Sequence, residues 1–131
     1  MSFTLNPFLR QALFADAAVS GAAGVLMATG APFLSRLLGL PADLLFWAGL
    51  ALLPFVALLI AVARRGKASR LTLIDIIAIN ALWVAASFGL LVSGAVAPTM
   101  LGYAFVIAQA LAVALLAELQ FIGLRRMTAT A

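Results

Sequence analysis

The sequence predicts an all-α integral membrane protein, an antiparallel bundle of four transmembrane helices with short loops and both termini in the cytoplasm. Three observations predict it. Of the 131 residues, 66% are hydrophobic and 9% charged, where a soluble domain carries about 25% charged residues. The mean hydropathy of +1.24 leaves too little polar surface to cover a water-facing core of this size. The apolar residues also fall into four runs, each long enough for the roughly 20-residue helix that crosses a hydrocarbon core about 30 Å thick. A soluble globular domain, a disordered chain and a coiled coil are thereby excluded together.

The first helix is expected over about 8–30, with Pro32 near its exit. A connector, SRLLGLPAD, follows, with the turn residues Gly39 and Pro41 and with Asp43 as a candidate N-cap. The second helix, 43–63, has no charge from Leu44 to Ala63 and ends at RRGKASR, Arg64 to Arg70. The third, 71–93, runs into the chargeless turn SGAVAPT, and the fourth, 99–124, ends at Arg125 and Arg126. None of the four alternates with the period of two that barrel strands require. The chain reads as one domain, 1–131, and its two halves share no motif of the kind that marks inverted-repeat transporters.

Orientation follows from the bases. With four crossings, Arg10, Arg64, Arg65, Lys67, Arg70, Arg125 and Arg126 share one side and Arg36 lies alone on the other. Seven against one places both termini in the cytoplasm by the positive-inside rule. The first helix also has a loose likeness to a signal peptide, with Ala28-Thr29-Gly30 as a small-residue site. Its single Arg10 and the interrupting Asp16 favour a retained helix instead. One lysine against seven arginines and many alanines suit a GC-rich bacterial genome, hence a bacterial inner membrane.

The chain has no cysteine and no histidine. Thiolate nucleophiles, disulfides, iron–sulfur clusters, imidazole bases and Ser-His-Asp triads are therefore excluded. No metal-ligand set can be assembled, and no cofactor is expected. The net charge of +4 does not point to nucleic acid, because the bases sit at the ends of apolar runs.

The informative residues are those that are costly in hydrocarbon. An intramembrane Asp costs about 2.5–3.5 kcal/mol on insertion scales, so it is expected to face the bundle with a partner. Asp16 lies about 12 Å in from Phe8, and Asn80 about 13 Å in from Leu71, at the same level. Asp75 and Glu118 are shallower, about 6 and 9 Å from the ends of their helices, and can pair with rim arginines. All three acids fall in the cytoplasmic half. Asn80, Trp83 and Ser87 share one stripe of the third helix; Gln109, Val113, Leu116 and Gln120 share one of the fourth.

Asp16, Ser20 and Gly24 form a small polar face on the first helix, suited to close helix packing. Asp16, Asn80, Ser20, Trp83 and Gln109 are thus the candidate ion- or substrate-binding residues, with Asn80 or Gln109 as possible partners of Asp16. Pro54 is expected to kink the second helix. Arg64, Arg65, Lys67 and Arg70 set topology and can meet lipid headgroups.

Two functions compete. The leading reading is a small non-enzymatic inner-membrane protein, an accessory or assembly subunit that contacts lipid, itself or a larger membrane complex. Its loops are too short for a soluble catalytic domain. In size, helix number and the acid of its first helix, the chain also resembles the small multidrug resistance transporters. That resemblance implies an oligomeric proton-coupled transporter or channel, with Asp16 as the titrating residue. It stops at architecture: the other helices carry none of that family's patterns, and seven bases against one is not the balance of a dual-topology protein.

Overall fold

A computed structural model describes residues 2–130. In chain order it contains β1 (Ser2–Thr4), α1 (Pro7–Thr29), α2 (Ala31–Leu38), α3 (Ala42–Arg65), β2 (Lys67–Ser69), α4 (Arg70–Val92) and α5 (Met100–Thr130). Four of these, α1, α3, α4 and α5, are long and apolar enough to cross a membrane. Their outer surfaces are carbon-rich: Val25, Trp47, Leu82 and Leu111, one from each, are all more than half exposed. A soluble monomer does not carry so large an apolar surface, and the four helices fit a multi-pass membrane protein.

The helix ends follow local chemistry. Pro7 occupies the first turn of α1, where its missing N–H costs nothing, and Asn6 caps it by accepting from the Leu9 N–H at 2.7 Å. The same Asn6 side chain donates to Gly123 O at 3.0 Å, tying the start of α1 to α5. Gly66, at φ 69°, ends α3 in a left-handed cap and turns the chain into β2. Ser69 caps α4 by accepting from the Thr72 N–H at 3.1 Å.

Three features depart from the expected outline. The connector after α1 is largely helical: Gly30 breaks the chain and α2 follows, packing Ala31, Leu34 and Leu38 inward. Asp43 is not the N-cap of α3, because that helix starts one residue earlier, at Ala42 after Pro41; Asp43 sits in the first turn, where a negative charge suits the helix dipole. The third is a two-stranded antiparallel ribbon, with Phe3 opposite Ala68 in register. It is fastened by the Leu5 N–H to Gly66 O bond of 2.9 Å. Pro54 sits inside α3, whose helical run is unbroken from Ala42 to Arg65.

α1 is the central helix and packs against both α3 and α5, while α4 leans mainly on α5. α1 and α3 meet through glycines. A Cβ on Gly49 would lie 2.7 Å from Ala28 N and Gly24 O, so the two backbones touch. One apolar cluster, including Leu9, Leu13, Leu59, Ile76 and Leu124, fills the end that carries β1 and β2. A second, including Met27, Leu34, Leu45 and Val106, fills the opposite end. Between them lies a polar layer.

Contacts also gather the bases. Arg10 Nε donates to Ala63 O at 2.7 Å, and Asn6 reaches Gly123. The start of α1, the α3–α4 turn and the late part of α5 thus share one end, with Arg36 at the other.

Candidate functional site

The centre of the polar layer is Asp16, on the face of α1 that also buries Leu9, Leu13, Ser20 and Gly24. No part of Asp16 is exposed. Ser20 Oγ, one turn on, donates to Oδ1 at 2.8 Å. Asn80 Nδ2 of α4 and Gln120 Nε2 of α5 both donate to Oδ2, each at 2.7 Å. Asn80 Nδ2 also donates to Gln120 Oε1 at 3.0 Å, closing a ring of three side chains. An Asp carboxylate offers only acceptor sites when ionised, and the neutral amides and hydroxyl around it all donate.

A second polar group lies beside the first, toward the Arg36 end. Trp83 Nε1 donates to Gln109 Oε1 at 2.6 Å. Gln109 Nε2 donates to Ser87 Oγ and Val106 O, both at 2.9 Å. Ser87 Oγ in turn donates to Trp83 O at 2.7 Å. Among the described residues no buried side-chain nitrogen or oxygen is left without a partner, which low-dielectric surroundings make costly.

The five candidate residues of the sequence therefore fall into two neighbouring groups. Asp16, Ser20 and Asn80 form one; Trp83 and Gln109 form the other. Of the two partners considered for Asp16, Asn80 is bonded and Gln109 is not. Gln120 takes the remaining place. The sequence placed it on one stripe of the last helix with Gln109, but nothing there aligned it with a residue 104 positions earlier. Gly24 lies at the α1–α3 contact, 3.0 Å from Gly49 O by the position of an added Cβ.

Asp75 and Glu118 stand apart. Both are exposed on the outer face and form no ion pair among the described residues. Arg10 does not make the expected rim pair with either; it is turned instead to the carbonyls that end α3, Ala63 O and Arg64 O. Among the described residues no three acids gather into a group that would hold a metal ion.

Space remains between α3 and α4, which barely touch. A cavity of about 170 Å³ is lined by Ser20, Asn80, Phe55, Ile79 and Trp83. Across Trp83 a second cavity, of about 280 Å³, is walled by Leu44, Ala48, Ala86, Leu90 and Phe105. The first reaches the edge of the Asp16 group; the second is almost wholly apolar. Compared with family models, curated proteins and solved structures, the chain matches none, so its likeness to the small multidrug resistance transporters is one of helix number and of Asp16 alone.

Proposed function

We propose that this chain is a non-enzymatic, lipid- and protein-interacting subunit of a bacterial inner membrane, with both termini cytoplasmic. The observation that carries the reading is the closed bonding of Asp16. Its carboxylate accepts from Ser20, Asn80 and Gln120, which joins three helices. Polar side chains are suited to that role where lipid supplies no hydrophobic drive. The outward Asp75 and Glu118 support association with another chain, since an acid facing hydrocarbon is costly unless a partner satisfies it.

A second reading, an oligomeric proton-coupled transporter or channel, is favoured by one observation. The 170 Å³ cavity between α3 and α4 is lined by Ser20 and Asn80, the direct partners of Asp16. The two readings part in liposomes. Proton and cationic-dye flux is compared between the native chain and Asp16→Asn, which fills the same space but cannot titrate. No flux above protein-free vesicles in either supports the subunit reading. Native flux that Asp16→Asn abolishes, with thermal stability kept, replaces it with transport.

A further inference from the structure

The bases gathered at one end of the bundle are not equivalent. Arg10 is held by Ala63 O and Arg64 O. Arg125 lies over the Phe121 ring at 5.8 Å and Arg126 over the Phe8 ring at 4.7 Å. Arg65 and Lys67 are exposed and have no such partner among the described residues. Yet both line one cavity of about 310 Å³, where α3, β2 and α4 meet.

That cavity is zoned. Leu58, Ala61 and Val62 of α3 form an apolar wall one to two turns deep, Arg65 and Lys67 form a cationic rim, and Ser69 and Thr72 contribute hydroxyls. The Thr72 amide is already taken by Ser69 Oγ, so recognition here does not rest on the end of α4. The two hydroxyls bond each other at 2.8 Å, which uses one of their two protons and leaves the other for a ligand oxygen. Two cations and a hydroxyl proton above a hydrocarbon wall match a phosphodiester with an acyl chain beneath it. We infer that this cavity is a binding site for an anionic glycerophospholipid, its phosphate held by Arg65, Lys67 and the Ser69–Thr72 pair and its chain lying on Leu58 and Ala61.

The inference rests on the lipid-interacting reading above and names the lipid. Each base near an anionic surface contributes about 1 kcal/mol, or roughly a fivefold preference, so two in one cavity give a preference of more than tenfold for anionic over zwitterionic headgroups. Arg64 and Arg70 flank the cavity without lining it and supply the internal control.

The test is lipid-induced thermal stabilisation of the purified full chain in neutral detergent. The probes are short-chain phosphatidylglycerol, the matching phosphatidylcholine and inorganic phosphate. Phosphatidylglycerol should raise the melting temperature at more than tenfold lower concentration than phosphatidylcholine, and phosphate should have no effect. Arg65→Gln/Lys67→Gln should remove the preference, and Arg70→Gln should keep it. Ala61→Phe, which fills the apolar wall and leaves every charge in place, should also remove it.

Equal potency of the two lipids in the native chain would overturn the site while leaving a lipid-interacting protein. No stabilisation by either lipid would overturn the underlying reading as well. Phosphate acting as well as phosphatidylglycerol would make this a free-anion site. Loss of the preference in Arg70→Gln, or its survival in Ala61→Phe, would replace the cavity with diffuse charge attraction.

Discussion

Asp16 and Gln120 stand 104 residues apart and meet at 2.7 Å, with Asn80 bonded to both. The Asp16 acceptor contacts are divided: Oδ2 takes the two amides, and Oδ1 takes only the Ser20 hydroxyl. An Asn at position 16 can keep its carbonyl toward the amides and present its NH₂ to Ser20, whose hydroxyl rotates to accept. Asp16→Asn should therefore cost under about 1 kcal/mol, whereas Asp16→Leu strands three buried donors and should cost about 2–4 kcal/mol. Chemical unfolding of both variants in mixed micelles checks this, and equal stabilities would mean that the ring contributes nothing to the fold.

Gly49 makes the tightest contact between α1 and α3. Its added Cβ would meet Ala28 N, Gly24 O and Met27 Cβ, all within 2.8 Å, and two of the three are backbone atoms that cannot rotate away. At Gly24 the nearest atom is 3.0 Å away and the next two belong to leucine side chains. Gly49→Ala should cost about 1–3 kcal/mol and Gly24→Ala less. Melting curves of the two variants decide it; the reverse order would place the helices farther apart than described.

Trp83 separates the two cavities and bonds Gln109. Trp83→Phe keeps the partition and loses one hydrogen bond, a loss of about 1 kcal/mol. Trp83→Ala joins the spaces and should cost about 3–5 kcal/mol. Equal losses in an unfolding titration would show that the hydrogen bond, and not the ring, does the holding.

A reporter active only in the periplasm, fused after Ala131, should stay silent. Seven bases lie at the end of the bundle shared by the start of α1 and the late part of α5, against Arg36 alone at the other, and cytoplasmic flanks carry such an excess. A strong periplasmic signal would reverse the orientation and put the proposed lipid site in the outer leaflet.

Sequence and structure agree best where a property is local. Four apolar runs announce four helices because length and composition are counted along one dimension. The helices fall within two residues of the runs except at the last end, where α5 runs through Arg125 and Arg126 to Thr130, six residues past the expected 124. The stripe of Asn80, Trp83 and Ser87 was also legible, since it needs only the helical repeat. Gln120 as a partner of Asp16 was not, because periodicity gives the face of a helix but not its neighbour or its height. β1 and β2 are too short to show a period and exist through their pairing. α2 hid behind Gly30, Pro32 and Gly39, residues that resemble a loop until Leu34 and Leu38 find apolar cover. The separation of α3 from α4 left no trace in the sequence, for adjacent helices are expected to touch.

The closed ring around Asp16 also has a history during synthesis. Asp16 enters the membrane with the first helix, and only Ser20 travels with it. Asn80 follows 64 residues later and Gln120 after 104; at about 5–20 residues per second the last donor arrives roughly 5–20 seconds behind. The first helix thus carries an acid with one partner until Asn80 arrives and with two until Gln120 does, where the finished bundle supplies three. The under-bonded acid should favour a nascent helix that stays beside the insertion machinery, or near water, until the fourth helix supplies the last donor. A chain stalled before Gln120 should be the form that quality-control proteases remove.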